Sequence, residues 1–294
     1  MVAMAGGACT QGVDTGFVAL GYGKVALLGV VQGLTELLPI SSTAHMRIVP
    51  ALFGWQDPGS AFSAAMQLAA LGAVIVYFWA DVRNLVFGAT GALIRRDIGD
   101  RDLRFAIYIV LATIPIVIGG VLLKDMLNAC GSPLRSLNVI GIACIVMAVL
   151  LAMAELAARH VRTYEQVTLK DAMIVGLAQV GALIPGVSRS GSTLTAALFL
   201  GFKREEAARF SFLLGLPAIA GAGLKELWEL HKIGLSAEGW SILGVGLAVG
   251  AVSAFVAIFA LMKLMERFSS WPFVFYRAGM GGLLLAGVYL GVLR

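Results

Sequence analysis

The chain is poor in charged residues. Only 13% of its 294 residues are Asp, Glu, Lys or Arg, whereas 59% are hydrophobic, and the mean hydropathy is +0.90. Soluble domains carry about a quarter charged residues. So few charges cannot cover a water-facing surface, which excludes an ordinary soluble protein and predicts a chain that crosses the membrane several times.

Cysteine and histidine are also scarce, with three of each. Cys9, Cys130 and Cys144 have no paired spacing, so they predict neither a disulfide framework nor a zinc site. The first 23 residues contain no Lys or Arg and therefore lack the basic start of a secretory signal. The net charge of +5 does not indicate nucleic-acid binding, because the basic residues are scattered between apolar segments.

Six apolar segments have the length of membrane spans, at about residues 61–80, 103–123, 137–157, 206–224, 240–262 and 272–293. Two further apolar regions, about 25–53 and 172–201, are interrupted near their middles by proline and polar residues. Their halves, of about 12–14 residues, are too short to cross a hydrocarbon core about 30 Å thick. Each region is therefore predicted to be a re-entrant hairpin of two half-helices.

The two interrupted regions match each other in sequence. Gln32 and Pro39 correspond to Gln179 and Pro185, and the matches continue into the following span at offsets of 146–148 residues. These offsets are half of the chain length. A collinear series of matches indicates a duplicated unit, each copy being one hairpin followed by three spans.

The duplication predicts the topology. A hairpin returns to its starting side and three spans end on the opposite side, so the second copy must be inverted. The predicted fold is an all-α polytopic membrane protein: one domain over residues 1–294, with repeat 1 at about 25–157 and repeat 2 at about 172–293. This layout places thirteen Lys and Arg residues on one side and six on the other. The positive-inside rule makes the richer side cytoplasmic, so the first hairpin opens to the outside.

The first interruption, QGLTELLPISSTAH at residues 32–45, contains an amide and a carboxylate side chain, Gln32 and Glu36. Gln32 and Glu36 are four residues apart and share one helix face. An ionised carboxylate at membrane depth is costly and is usually paired or functional. The alternative is a structural Glu36 that is hydrogen-bonded to a neighbouring helix.

Hydroxyls and a histidine follow. Ser41, Ser42 and Thr43 fall where the second half-helix should begin, and such a helix start with its hydroxyls can bind an anion. His45 is three residues after Ser42 and can serve as acid, base or nucleophile. A lone histidine is more often a packing residue, but beside Glu36 and Ser42 a catalytic role is favoured.

The second interruption, PGVSRSGST at residues 185–193, supplies a cation. Arg189 lies near a half-helix start, and its guanidinium suits bidentate contact with phosphate oxygens. Ser188, Ser190 and Thr193 can add hydroxyl donors. The alternative is an Arg189–Glu36 ion pair that only holds the two halves together.

A convergence of both interruptions would attract phosphate. Glu36 would repel an anion there unless a hard cation bridges them, and Mg²⁺ or Ca²⁺ could be held by Glu36 and the Gln32 carbonyl oxygen.

At these residues the sequence resembles the bacterial undecaprenyl-pyrophosphate phosphatase family, also called the bacitracin-resistance family. The similarity extends from the two motifs, at 32–45 and 185–193, over essentially the whole chain. It implies a divalent-metal-dependent enzyme of the bacterial cytoplasmic membrane, active at the outer face. The implied reaction removes the terminal phosphate from a C55 isoprenoid diphosphate to recycle the carrier of cell-wall precursors. Two departures are Gln32, where many members have Glu, and Ala44, where Gly is usual.

The resemblance implies catalytic roles for Glu36, Ser42, His45 and Arg189. We favour Ser42 as nucleophile assisted by His45; direct attack by His45, or activation of water by it, stays open. The partners expected are the lipid substrate, membrane lipids and a second copy in a homodimer, without nucleic acid. A polyprenyl-phosphate flippase or transporter is the alternative function, since broken helices in inverted repeats also occur there. A channel or scaffold is a weaker third interpretation.

Overall fold

The computed structural model describes residues 15–123, 126 and 132–293. Cys9, Lys124, Cys130 and Arg294 lie outside these residues. The twelve helices of the described part are α1 Phe17–Leu37, α2 Ser42–Leu52, α3 Ser60–Tyr77, α4 Trp79–Arg83, α5 Ala89–Ile94, α6 Arg101–Leu122, α7 Leu137–Ala157, α8 Leu169–Val180, α9 Arg189–Phe199, α10 Arg204–Lys232, α11 Ala237–Arg267 and α12 Trp271–Tyr289. A π-helical turn, Asn84–Gly88, joins α4 to α5.

The predicted fold class is confirmed: the chain is an all-α polytopic membrane protein. Within the described ranges there is no strand, only an isolated bridge between Arg162 and Phe202. Five described helices are long and apolar enough to cross a membrane: α1, α6, α7, α10 and α11. A sixth candidate is the pair Ala61–Tyr77 and Trp79–Ile94, which is bent by 90°. The predicted span at 272–293 is helical as α12, in which Arg277 interrupts the apolar residues.

The first hairpin differs from the prediction in length. Helix α1 has 21 residues and starts at Phe17, although Gly21, with φ 70° and ψ 177°, breaks its regularity. Residues before position 25 extend the first half-helix, so the expected length is wrong for this half, whereas α2, with 11 residues, is as short as expected. In the second hairpin, α8 and α9 have 12 and 11 residues, as expected.

The bend after α3 was not predicted. The sequence indicated a span to about residue 80, but α3 ends at Tyr77 and α4 leaves at a steep angle. Asp81 follows at once and pairs with Arg209 of α10, whose Nε and Nη2 donate to it at 3.1 and 2.5 Å. A charged pair of this kind is costly in hydrocarbon, which agrees with the end of the straight span at Tyr77.

The two halves show matching local features. Ser41 and Ser188 both have positive φ, 72° and 70°, and both precede the second half-helix of a hairpin, 147 residues apart (188 − 41). Gly29 and Gly176, at the same offset (176 − 29), each lie against the backbone of a helix from the other half.

The packing of the helices is reciprocal in the same way. Helix α1 packs on α11 of the second half, and α8 packs on α6 of the first. A Cβ on Gly29 would lie 2.6 Å from the Gly246 carbonyl oxygen, and one on Gly176 would lie 2.2 Å from that of Ala112. Both contacts support the duplication, while the division into repeats 25–157 and 172–293 and their inversion stay predictions.

Candidate active site

Arg277 of α12 joins the two interruptions. Its side chain is 0% exposed. Nη1 donates to the Pro39 carbonyl at 2.8 Å, and Nη2 donates to the carbonyls of Gly186 and Val187 at 2.7 and 2.9 Å. Helix interruptions leave backbone carbonyls without helical partners. The Arg277 guanidinium binds such carbonyls from both interruptions and therefore holds the two interruptions side by side.

A second contact between the halves comes from Ser190. Its hydroxyl lies 3.2 Å from the Glu36 carbonyl oxygen and 3.1 Å from that of Leu38. Ser190 thus bonds the end of α1 to the start of α9. The predicted convergence of the two interruptions is therefore present in the structure.

Glu36 lies at the centre of this junction and is buried. Arg189 Nη2 donates to Glu36 Oε1 at 3.0 Å, so the two halves contribute opposite charges to one ion pair. Gln32 Nε2 and Ser42 Oγ both donate to Glu36 Oε2, at 2.9 and 2.5 Å. Each carboxylate oxygen is therefore held in place, and the hydroxyl nearest the carboxylate is that of Ser42.

A cavity of about 170 Å³ opens beside this cluster. Its polar lining residues come from both halves: Glu36, Ser41, Ser42, Thr43, Gln67, Ser188 and Arg189. Its apolar lining residues are Ile116, Ala182, Leu183, Ala218, Ile219 and Ala222. A cavity that combines polar lining residues with an apolar wall formed by the others suits an amphiphile with an anionic headgroup.

The starts of α2 and α9 both face this cavity. Ser188 Oγ accepts from the Gly191 amide at 3.1 Å and caps α9. Ser41 makes no such bond to α2; its hydroxyl lies 3.0 Å from that of Thr43. The first N–H groups of α2 thus have no side-chain cap and can bind an anion.

Ser41 and Ser188, the residues directly before α2 and α9, both have a positive φ, which is unusual for a residue other than glycine. Backbone strain of this kind persists where the surrounding contacts impose it, and it clusters at functional sites. Here it turns Ser42 and Arg189, the residues that follow these serines, toward the same cavity.

His45 is placed differently from the expectation that it faces the same ligand as Ser42. Its Nδ1 lies 2.7 Å from the Ser41 carbonyl oxygen, which can only accept, so Nδ1 carries the proton. Nε2 lies 2.6 Å from the Tyr276 hydroxyl, from which it accepts when the ring is neutral, and the two rings stack with centroids 5.7 Å apart. Among the described residues His45 neither lines the cavity nor bonds to Ser42.

The remaining predicted residues divide into two groups. Ser41, Thr43 and Ser188 line the cavity. Ser190 and Thr193 do not: Thr193 Oγ1 donates to the Arg189 carbonyl at 2.8 Å and lies 2.5 Å from Ser211 Oγ. Contact of all five with substrate stays a prediction.

Three residues of the site lie outside the set that the sequence predicts. Gln67 lines the cavity. Arg277 is visible in the sequence as a single arginine in an apolar span, but the carbonyls that it binds are 90 or more positions away. Tyr276 gave no signal, because its contact with His45 joins residues 231 positions apart.

The donor set fits a divalent cation only together with substrate. The described residues contain no group of three or more His, Cys, Asp or Glu side chains that could enclose a metal ion. Of the residues that the structure describes, Glu36 is the one carboxylate in the cavity lining. Mg²⁺ is commonly held by one or two carboxylates plus substrate phosphates, and Glu36 with a bound diphosphate would meet that requirement.

These contacts define the class of protein: a polytopic membrane protein whose two halves form one buried polar site beside a cavity. The family model of the bacitracin resistance protein BacA matches residues 25–283. The chain belongs to this family. It is 71% identical to undecaprenyl-diphosphatase 2 of Mesorhizobium japonicum, over 89% of this chain and 99% of that protein. It is 48% identical to the undecaprenyl-diphosphatase of Gloeobacter violaceus (93% and 94%) and 46% identical to that of Trichormus variabilis (92% and 85%).

Proposed function

We propose that the protein hydrolyses undecaprenyl diphosphate to undecaprenyl phosphate and inorganic phosphate. The observation that carries this proposal is the convergence of Glu36, Ser42 and Arg189 from the two halves on one cavity that also has an apolar wall. Family membership supports the same activity, and with it a role in recycling the lipid carrier and in bacitracin resistance.

The diphosphate binds at the starts of α2 and α9, and the isoprenoid chain lies along the apolar wall. Arg189 keeps one nitrogen on Glu36, while its buried Nη1 has no partner among the described residues. Arg189 lines the cavity, so its guanidinium lies within the part of the site where the diphosphate would bind. Phosphoryl transfer depends mainly on positioning and on neutralising charge, and Arg189 with the uncapped N–H groups of α2 supplies both.

Ser42 is the proposed nucleophile. Its Oγ attacks the terminal phosphorus, its proton passes to Glu36 Oε2, and the bond from phosphorus to the bridging oxygen breaks to release undecaprenyl phosphate. Water then cleaves the phosphoserine and regenerates the hydroxyl. The 2.5 Å contact supports Glu36 as the base, whereas the Nε2 atom of His45 is engaged by Tyr276.

His45 keeps a role in this proposal. It is joined to the Ser41 carbonyl and therefore fixes the strained turn that presents Ser42. Attack by His45 itself, or by water, is the competing mechanism. Trapping of a phosphorylated enzyme and identification of the modified residue distinguishes these routes.

A divalent cation would be held by Glu36, with the Gln32 side-chain oxygen as a further ligand, together with substrate oxygens. When bound, it would neutralise negative charge on the diphosphate. The proposed location is the bacterial cytoplasmic membrane, with the site open to the outer face. The homodimer stays a prediction, which the mass of the purified protein in detergent tests.

Phosphate release by the purified protein from C15 and C55 diphosphates, with and without chelator, tests the proposed function. Release that depends on Arg189 and Glu36 is the expected result. Wild-type rates from Arg189→Ala would contradict the assignment. Movement of polyprenyl phosphate across vesicles without phosphate release would favour a flippase.

A further inference from the structure

Gly215 of α10 lies directly beside the guanidinium of Arg189. A Cβ built on Gly215 would lie 1.9 Å from Arg189 Nη1 and 3.0 Å from its Cζ. Real Cβ atoms essentially never approach another heavy atom within 3.0 Å. The guanidinium therefore occupies the space that a side chain at position 215 would fill.

The same guanidinium forms one of the contacts between the two halves of the site. Nη2 donates to Glu36 Oε1 at 3.0 Å, while Nη1, the nitrogen next to Gly215, is buried and has no partner among the described residues. The guanidinium is planar and rigid, so a displacement of Nη1 also displaces Nη2. The missing side chain at 215 thus determines where both nitrogens point.

The other half of the chain has a side chain at the matching position. With the 148-residue offset that relates Phe62 to Phe210, Gly215 corresponds to Gln67 (215 − 67). Gln67 lines the cavity. The half-helix of that copy carries no arginine at its start, so no guanidinium needs the space there.

We propose that Gly215 is a positioning residue for the phosphatase site. Its lack of a Cβ allows the Arg189 guanidinium to lie against α10, with Nη1 beside Gly215 and Nη2 on Glu36. This inference rests on the proposed function. Gly215 acts only through Arg189 and does not touch the substrate.

The test compares Gly215→Ala with Gly221→Ala, each in wild-type and Arg189→Ala protein. Gly221 is on the same helix, and a Cβ there would meet no atom within 4 Å, so its variant reports the gain in helix propensity alone. Phosphate release from C55 diphosphate is measured with purified full-length protein. The residual turnover of Arg189→Ala is followed at raised enzyme concentration. The midpoint of thermal unfolding is recorded for every variant.

Gly215→Ala is expected to lower kcat/KM by about 10- to 100-fold, as for a displaced charge-assisted hydrogen bond. Gly221→Ala should stay within about twofold of wild type. In the Arg189→Ala background, Gly215→Ala should cause no further loss of turnover and no lower unfolding midpoint, because nothing remains to be displaced.

Three results would overturn the inference. One is a Gly215→Ala enzyme within about twofold of wild type. Another is an equal loss in both backgrounds, which would assign Gly215 to helix packing independent of Arg189. The third is failure of Gly215→Ala to fold in both backgrounds, whereas rescue of folding by Arg189→Ala would support the contact. A wild-type protein that releases no phosphate would instead refute the proposed function.

Discussion

Glu36 accepts hydrogen bonds from three donors, which come from both halves of the chain. Its negative charge forms the ion pair with Arg189. Glu36→Gln keeps the size of the side chain but removes the charge. Since the ion pair and the proposed proton acceptor are both lost, turnover should fall by about 10²- to 10³-fold. Phosphate release by purified protein measures the effect. Glu229→Gln is the control, because Glu229 forms its ion pair with Lys232 and is outside the cavity lining; equal rates for the two variants would contradict the prediction.

Tyr276 is the other residue whose contribution can be isolated. Tyr276→Phe removes the donor to His45 Nε2 but keeps the stacked ring. His45 remains bonded to Ser41, so the expected loss of turnover is about 3- to 10-fold, the usual effect of one hydrogen bond. Tyr289→Phe is the control, since Tyr289 is 91% exposed. A loss as large as that of His45→Ala would show that Tyr276 does more than orient the ring.

The candidate site could be predicted in part from residue types. Glu36, Ser42 and Arg189 were identified because charged and hydroxyl side chains stand out in a chain with 13% charged residues. The partner of His45 could not be predicted, because ring contacts over 231 positions leave no local pattern. The same holds for the three carbonyls that Arg277 binds.

At the scale of helices, one side chain of α12, that of Arg277, binds backbone carbonyls of both interruptions. Arg277→Met would leave the carbonyls of Pro39, Gly186 and Val187 buried without their donors. The free energy of unfolding in detergent should fall by about 3–5 kcal/mol. Arg104→Met, at an exposed arginine bonded to Tyr108, should change it by no more than about 0.5 kcal/mol. Similar unfolding midpoints for the two variants would show that the interruptions hold together without Arg277.

Helix boundaries were predictable where hydropathy alone decides them. The segment at 137–157 coincides with α7, Leu137–Ala157. The bend after Tyr77 was not predictable, because the Asp81–Arg209 pair beside it joins residues 128 positions apart and leaves no local pattern. The start of α1 at Phe17 was not predicted, because Gly21 and Gly23 weaken the helical pattern of the sequence there.

At the scale of the whole molecule, the excess of Lys and Arg on one side predicts the orientation. Ile98 lies in the loop between α5 and α6, on the predicted cytoplasmic side, and is 82% exposed. Lys232 ends α10 on the predicted outer side, with its side chain 52% exposed. In protein lacking Cys9 and Cys130, a membrane-impermeant thiol reagent applied to intact cells should label Lys232→Cys and spare Ile98→Cys. The reverse labelling would overturn the orientation.

Ser42 and Arg189 stand at equivalent places in the two hairpins, each directly after a serine of positive φ. In the proposed mechanism, the residue at this place is the nucleophile in the first copy and neutralises charge in the second. Severing the polypeptide between α7 and α8 would put the attacking oxygen on one fragment and its electrostatic helper on the other. Neither fragment could turn over substrate by itself, and activity would return only when the two were made together and reassembled.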